Sequence, residues 1–485
     1  MTVIGKDTNA IRHARSAAEV DADLVELRLD SMTRPDVAAA LAGRKKPAIV
    51  TCRPLREGGL FDGAEEDRLR ILEQAQALGA EFVDVEWDVR VEPFLEPRGG
   101  RGVIVSKHVF DGTPPNIPEL MRDLRRAGGE VAKLAVMIDR ASDVVALLAS
   151  ARPDGASVLI GMGGAGLATR ILAARFGSRW TYAGDGVAPG QLKVGRLLQE
   201  FRFRRIRSDA AVYALLGRPV VNSLSPAMHN AGFAALGLNA VYVPVEARDV
   251  EDFRAFADAL GVRGASVTSP FKRDVMRLLD EVSPTAEAAG AVNTLAMRDG
   301  RWIGTNTDAD GFLEPLRKRV PALAGVRAVI LGAGGAARAV GLALAREGAH
   351  VAIAARRPEA ARTVARAIGA TVGDWPPARD SWDVLVNATP VGGRTEPGTP
   401  FAGPFGGRLV YDLVYDPDPT PLMRAAAEAG CPAIGGLEML VAQAERQFDI
   451  WTGQRPPAGL FAQAAQQTRS VRLQPDSETY ETDDV

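Results

Sequence analysis

A short β-rich run followed by an apolar stripe at helical spacing recurs eight times in the first 205 residues, and no other feature constrains the fold of this chain as much. The runs are Val3-Ile4, Leu24 to Leu29, Ala48 to Arg53, Phe82 to Glu86, Gly102 to His108, Val131 to Val136, Ser157 to Met162 and Trp180 to Ala183. Between them the apolar residues keep the period of a helix with one buried face, as at Leu69, Leu72, Ala75 and Leu78. Successive parallel strands need a crossover, which a helix supplies. Eight such units in so short a segment predict an α/β fold, a closed (β/α)8 TIM barrel near the lower limit of its size. Met1 leaves almost nothing before Val3, so either the first strand is short or the chain start has been clipped.

Composition narrows the classes of function. The 485 residues suit about three domains at roughly 150 residues each. With 46% hydrophobic and 24% charged residues, the composition is ordinary for a globular chain. Lys and Arg total 58 against 60 Asp and Glu, so no basic excess recruits nucleic acid and no polybasic cluster marks a membrane surface. The apolar runs fall short of the roughly 18 residues a membrane span needs, and Met1 to Ala10 has no signal-peptide core. Cys52 and Cys431 are the only cysteines, too few for a disulfide framework or a zinc site, so a reducing cytoplasm and no bound metal are expected. The basic stretch Phe201 to Arg207 reads as a solvated link to a new strand, Ala211 to Gly217, and not as a nucleic-acid site.

In the second half Val329 to Leu331 runs straight into Gly332-Ala333-Gly334-Gly335-Ala336-Ala337. A helix is expected from Arg338 to Glu347 and a second strand from His350 to Ala355. Strand, glycine turn, helix and strand in that order make a dinucleotide-binding Rossmann unit. An NAD site would place Asp or Glu at the end of the second strand. Here the strand runs out through Ala354-Ala355 into Arg356-Arg357, and two guanidiniums suit a 2′-phosphate, so NADP is the expected cofactor. Leu473 to Val485 carries five acidic residues and no basic one and is expected to be a disordered tail.

Barrel catalysis sits at the C-terminal ends of the strands, and charge accumulates there. Glu26, Arg28 and Asp30 alternate along one strand and so share a face. Arg53 ends the next, Asp84 and Glu86 share a face of the fourth, and His108 ends the fifth. A single charge in such a strand is ordinarily paired at the barrel rim. Lys133 stands apart, between Val131-Ala132 and Leu134-Ala135-Val136, where an ammonium is costly unless it is paired or loses its proton. A lysine desolvated in this way can act as an amine nucleophile toward a ketone or aldehyde.

Seven motifs in family order make the first 200 residues resemble type I 3-dehydroquinate dehydratase. They are Glu26-Leu-Arg28-Leu-Asp30, Thr51-Cys-Arg53 with Glu57-Gly58-Gly59, Asp84-Val-Glu86, Ser106-Lys-His108, Lys133, Phe176-Gly-Ser178 and Ala188-Pro-Gly-Gln191. The resemblance implies that Lys133 is the Schiff-base lysine, His108 the general acid/base, and Glu57 its neighbour on a lid-like loop. It also implies that Glu26, Arg28, Arg53, Arg170 and Gln191 bind substrate hydroxyls and carboxylate. Val187 and Thr169 stand where the family commonly has Ser.

Residues 211 to 465 resemble shikimate dehydrogenase. The motifs are Asn222-Ser223-Leu-Ser225-Pro226, Val267-Thr268-Ser-Pro-Phe-Lys272, Gly290-Ala-Val-Asn293-Thr294, Asn306-Thr307-Asp308, the glycine turn, Asn387-Ala-Thr389-Pro390, Asp412-Leu-Val-Tyr415 and Met439-Leu-Val-Ala-Gln443. This resemblance implies a Lys272/Asp308 dyad, Ser223, Ser225 and Tyr415 on the substrate carboxylate, and Thr268, Asn293 and Gln443 on ring hydroxyls. Around NADP it implies Gly332, Gly334, Gly335, Ala336, Arg356, Arg357, Asn387, Thr389, Val414 and Gly436. The chain departs from the family's usual residues at Asn222, Ala355, Arg357 and Gly393.

The implied domains are a barrel at 1–207, a substrate lobe at 211–315 completed by 436–465, a Rossmann lobe at 316–435, and the acidic tail at 466–485. The two resemblances name consecutive reactions, so a bifunctional enzyme is expected. It would convert 3-dehydroquinate to 3-dehydroshikimate and reduce that with NADPH to shikimate. Its partners would be these small molecules, with no nucleic acid or membrane, in a monomer or homodimer. The rivals are a class I aldolase barrel, a quinate dehydrogenase, and a non-catalytic sensor or repressor. His108 with Arg170 and Gln191 argues against the first, and the retained Lys133, His108, Lys272 and Asp308 against the last.

Overall fold

The computed structural model describes residues 1–32 and 34–473. The chain divides into two compact units, Met1–Pro226 with Leu238–Val262, and Ala227–Gly237 with Arg263–Val485.

In the first unit seven strands form one sheet in chain order, every neighbour parallel. They are β1 (Thr2–Val3), β2 (Val25–Arg28), β3 (Ala48–Thr51), β4 (Phe82–Glu86), β5 (Val103–Val109), β6 (Val131–Met137) and β7 (Ser157–Met162). Helices or helical turns return the chain between them. Thr8–Ala18 starts where Asp7 accepts from the Ala10 amide at 2.8 Å, a side-chain N-cap. Ile117–Arg126 buries Ile117, Met121 and Leu124, one turn apart, against β5 and β6. Strands covered on both faces run apolar and do not alternate, and every residue of β6 except Met137 is buried.

The eighth run, Trp180 to Ala183, is not the regular strand its composition suggests. It closes the barrel through single contacts. The Arg179 amide donates to Ser157 O at 2.9 Å on the β7 side, and Ala183 O accepts from the Thr2 amide at 2.9 Å on the β1 side. With only two residues, β1 cannot extend a ladder along it.

The same unit contains β8 (Ala211–Gly217) and β9 (Ala240–Glu246), parallel over their full lengths. Two groups tie this pair to the barrel. Asp252, on the helix Val250–Leu260, accepts from the Ala141 and Ser142 amides at 3.1 and 2.8 Å. Arg175 donates to Leu260 O and Ala210 O at 2.6 and 2.7 Å. In the basic link Arg204 pairs with Asp23 and Arg207 with Asp209, so both guanidiniums are satisfied within the chain.

The second unit begins with β10 (Val262–Val267), β11 (Glu281–Val282), β12 (Thr294–Arg298) and β13 (Arg301–Thr305). Strand β12 runs antiparallel to both β10 and β13, and β11 runs parallel to β13. A second, all-parallel sheet follows from β14 (Arg327–Leu331), β15 (His350–Ala354), β16 (Thr371–Val372), β17 (Val384–Asn387), β18 (Leu409–Asp412) and β19 (Ala433–Ile434). Its order, β16-β15-β14-β17-β18-β19, is doubly wound, and the strand order reverses between β14 and β17. The helix Gly335–Arg346 buries Ala337, Val340 and Leu344 in this core, where Phe312 stacks on Tyr411 with ring centroids 4.7 Å apart. That helix starts at Gly335, ahead of the expected Arg338, because Gly334 is extended and turns the chain in at once. The last helix, Leu460–Leu473, runs past the 466 boundary expected for the acidic tail, and the tail from 474 onward lies outside the described residues.

Candidate active sites

The barrel holds a solvent-open cavity of about 100 Å³, lined from the strand ends and the loops that follow them. Lys133 on β6 lies opposite Ser106 on β5 and is 4% exposed. Its Nζ donates to Asp84 Oδ2 at 2.8 Å, lies 3.8 Å from Glu26 Oε1, and stands 4.5 Å from the centre of the Tyr182 ring. Burial pulls the lysine pKa down, but Asp84, Tyr182 and Glu26 outweigh it and the net shift is upward. Lys133 is therefore a paired ammonium and not an amine stripped of its proton by desolvation. Asp84 is shared with Arg53 Nη2 at 2.8 Å and with the Ser106 hydroxyl at 2.5 Å. Burial opposes its charge, yet Arg53 and Lys133 hold it far below the usual carboxylate range.

The other barrel groups are held as firmly. Glu26 accepts from the Thr2 and Thr51 hydroxyls at 2.8 and 2.9 Å. Arg28 donates twice to Asp30, at 2.8 and 2.7 Å. Glu57 reaches His108 because its loop folds back tightly. Gly58 has φ of +72°, and a Cβ on Gly59 would sit 1.9 Å from Arg53 O. Glu57 Oε2 is 3.0 Å from His108 Nδ1 and accepts the His108 amide at 3.1 Å, while Oε1 accepts from Lys107 at 2.7 Å. Burial, with Arg53 and Lys133 nearby, holds His108 well below the usual imidazole value. The ring is thus neutral, and pairing with the carboxylate assigns its proton to Nδ1 and leaves Nε2 as a base.

Arg170 is 2% exposed and has no carboxylate partner among the described residues. It donates to Pro189 O at 3.1 Å, and burial lowers its pKa to about 10. A buried guanidinium without a counter-ion is unfavourable, and its complement is an incoming carboxylate. Gln191 donates to Thr2 Oγ1 at 3.2 Å and keeps Oε1 unpaired, and Val187 adds an apolar surface to the same cavity.

In the second unit Lys272 Nζ donates to Asp308 Oδ2 at 2.6 Å. Asp308 opens the helix Asp308–Arg319, and its other oxygen accepts from Asn293 Nδ2 at 2.8 Å. Asn293 Oδ1 takes the Thr307 amide at 2.9 Å, and Gln443 Oε1 lies 3.5 Å from Asn293 Nδ2. Lys272, Asp308, Asn293 and Gln443 are thus brought together. Thr268 stands half-buried just past β10, a turn before Lys272, and Tyr415 lies on the turn after β18. Ser223 and Ser225 belong to the first unit, where the Ser225 amide donates to Ser223 Oγ at 3.2 Å.

Across the parallel sheet Ala354, Leu331, Asn387 and Asp412 form one row of paired residues. The segments bearing Arg356-Arg357, Gly332 to Ala336, Thr389 and Val414 therefore leave the sheet side by side, at the switch point where ligands bind. Gly332 has φ of +115°, and a Cβ there would crowd Thr389 at 3.0 Å. Cβ atoms on Gly334 and Gly335 would meet nothing within 4 Å, so open space lies over the helix N-terminus, as a pyrophosphate requires. Arg356 and Arg357 are exposed, and their side chains form no hydrogen bond or ion pair among the described residues, which leaves both guanidiniums free for a 2′-phosphate. These residues fit NADP. Asn387 is fully buried and its amide is engaged by Val391 O, Asp412 and Thr389, so it shapes the loop that carries Thr389. Gly436 meets the β18 turn, and a Cβ there would lie 2.3 Å from Leu413 O. Among the described residues no His, Cys, Asp or Glu cluster is placed to hold a metal, and no helix is long and apolar enough to cross a membrane.

The sequence pattern puts Asp84 on a strand face but not against Lys133, and it gives no role to Thr2 and Thr51, which hold Glu26, or to Lys107. For Asp84 a signal exists in two carboxylates, Asp84 and Glu86, on one face of a short apolar strand.

Comparison with known proteins identifies families for both halves of the chain. Residues 1–208 match the family model for type I 3-dehydroquinase, 215–295 the shikimate dehydrogenase substrate binding domain, and 436–466 the shikimate 5′-dehydrogenase C-terminal domain. The chain is 34% identical to a bifunctional 3-dehydroquinate dehydratase/shikimate dehydrogenase, chloroplastic, of Arabidopsis thaliana, over 92% of this chain and 80% of that protein. It is 41% identical to a shikimate dehydrogenase (NADP+) of Synechococcus sp., over 56% of this chain and 99% of that one. A crystal structure of a shikimate dehydrogenase in complex with NADP+ superposes with a TM-score of 0.52 at 34% identity, over 54% of this chain and 97% of that one.

Proposed function

The chain belongs to the family of bifunctional 3-dehydroquinate dehydratase/shikimate dehydrogenases, shikimate-pathway enzymes that join a lyase to an NADP-dependent oxidoreductase, and from that premise we propose how its residues divide the two reactions. In the barrel Arg170 takes the carboxylate of 3-dehydroquinate and so sets the ketone toward Lys133. Lys133 rests as an ammonium and passes a proton to neutral His108. The amine then adds to the ketone carbon, and the proton returns to the carbinolamine hydroxyl, which leaves as water. Asp84 holds the charge of the resulting iminium. The iminium draws electrons from the adjacent C–H, His108 takes that proton, and the same proton leaves with the departing ring hydroxyl as water. Addition of water to the iminium releases 3-dehydroshikimate and restores Lys133. Glu57 keeps His108 in the tautomer this needs, and Glu26, Arg28, Arg53 and Gln191 hold substrate hydroxyls.

In the second half Lys272 gives a proton to the developing alkoxide, and Asp308 holds its ammonium in place. Thr268, Asn293 and Gln443 take ring hydroxyls. For Ser223, Ser225 and Tyr415 on the carboxylate, the proposal rests on the resemblance. NADPH, when bound, supplies the hydride. Gly332, Gly334, Gly335 and Ala336 cradle its pyrophosphate, and Arg356 and Arg357 its 2′-phosphate. Asn387 shapes the loop of Thr389, which with Val414 and Gly436 borders the remainder. A reducing cytoplasm is the proposed compartment, supported by the unpaired, buried Cys52 and Cys431, and a monomer or homodimer the proposed assembly.

The observation that carries the reading is a buried Arg170 without a counter-ion in the same cavity as Lys133 and His108. Given 3-dehydroquinate and NADPH, the protein should form shikimate. Borohydride should fix 3-dehydroquinate onto Lys133, and Lys133→Ala should lose dehydration while still reducing 3-dehydroshikimate supplied directly. A peptide map with the adduct on another lysine overturns the barrel assignment.

A further inference from the structure

Lys107 stands beside the acid–base pair, and the reactions above leave it without a part. It follows Ser106 and precedes His108 on β5, so strand alternation turns it to the opposite side from both. It does not line the cavity and cannot touch a substrate held there. Its ammonium nevertheless ends 2.7 Å from Glu57 Oε1, while Oε2 of the same carboxylate meets the His108 ring at 3.0 Å and the His108 amide at 3.1 Å. On the reading of the barrel as a Schiff-base dehydratase, we infer that Lys107 is a positioning residue for His108: it holds Glu57 ionised and aimed, and through Glu57 it sets the imidazole tautomer that proton transfer needs.

The chemistry turns on the charge of Glu57. Four groups face that carboxylate: Lys107, His108, Arg53 with Nη1 at 4.0 Å, and Glu86. Burial favours its protonated form and Glu86 adds to that, while Lys107 and Arg53 oppose it. Arg53 is already divided between Asp84 at 2.8 Å and Glu86 at 2.5 Å. Lys107 Nζ instead pairs directly with Glu57. If Glu57 takes up a proton, it becomes a donor to Nδ1. The imidazole proton then sits on Nε2, and His108 presents an N–H where a lone pair must accept a proton.

The test uses the full-length protein with Lys107→Met, Lys107→Gln and Lys107→Arg. Dehydration of 3-dehydroquinate is followed for kcat and KM across roughly pH 5 to 9, where such limbs are read. Reduction of 3-dehydroshikimate on the same samples reports folding. An opposite charge lowers a carboxylate pKa by about 1–3 units. The acid limb of kcat in the Met and Gln variants should therefore move up by about that much, with kcat down about tenfold or more near pH 6 and recovering at high pH. KM should stay within about twofold and Lys107→Arg should overlay the wild type, since the charge and not the side-chain shape is the operative feature. An unshifted limb in both neutral variants, an equal loss at every pH, or a change carried by KM overturns the inference. A wild-type protein that neither dehydrates 3-dehydroquinate nor is trapped on Lys133 marks failure of the underlying reading instead.

Discussion

Lys133 and Lys272 are the same residue type proposed for opposite roles, and their surroundings separate them. Lys133 is enclosed with Asp84, Tyr182 and Glu26, which together hold its proton on. Lys272 has a third of its side chain exposed and faces one carboxylate, Asp308 at 2.6 Å. In the proposed reaction that proton is given away, and the carboxylate keeps the donor on target. Asp308→Asn retains the shape and the contact with Asn293 but removes the charge that holds the ammonium. Turnover in 3-dehydroshikimate reduction should fall by about 10²-fold or more, the usual scale for a positioned acid, with NADPH binding little changed. Steady-state kinetics with a direct NADPH titration would check this, and near-wild-type turnover would remove Lys272 and Asp308 from the chemistry. At this scale the lysine in an apolar run is visible in the sequence, whereas its partner on another strand is not.

Among the elements, the row Ala354, Leu331, Asn387 and Asp412 does more for the cofactor site than any single loop. Each strand ends at the same level, so four short segments emerge together and need no long excursions. The segment after β15 carries Arg356 and Arg357, neither guanidinium with a partner among the described residues. A charge-assisted hydrogen bond is worth about 1.5–3 kcal/mol. With both exposed, Arg356→Ala combined with Arg357→Ala should cost roughly 3 kcal/mol, or about a hundredfold in kcat/KM with NADPH. NADH lacks the phosphate and should barely lose activity, and added salt should shrink the difference by screening. Equal losses with both cofactors would make the pair structural. Elements also differ in how far local pattern carries. Strands β4 and β7 have the expected ends, and every residue of both except Phe82 is buried. The eighth barrel segment has strand composition but a two-residue neighbour, so it bonds at its two ends only.

For the whole molecule, the two units hold separate hydrophobic cores, and acid should strain each through a buried imidazole. His229 is fully buried among Phe448, Trp451 and Phe461, and burial, partly offset by Gln447, brings its pKa down to about 3. Unfolded histidine titrates near 6.5, so below that the unfolded state binds the extra proton. Stability from this group is full above about pH 6.5 and is lost as pH falls toward about 3, at about 1.4 kcal/mol per pH unit. His108, also held low, acts in the same sense in the first unit. Urea midpoints should drop between pH 7 and 5, and His229→Leu should flatten the drop in the transition of the second unit. Identical slopes in variant and wild type would exclude His229 as the cause. The β-then-α repetition, the glycine turn and the identities of Lys133, His108, Lys272 and Asp308 are properties of order and spacing along the chain. They were sufficient by themselves for the barrel, the Rossmann sheet, both families and NADP. Only the tertiary structure decided which charges meet: Asp84 with Lys133, 49 residues apart, and Lys107 with Glu57, 50 apart. It also decided that Arg170 is left without a counter-ion and that the Asn387 amide is turned inward. Protonation states follow from ångström separations and from burial, and residues on different strands acquire both only when the sheet closes.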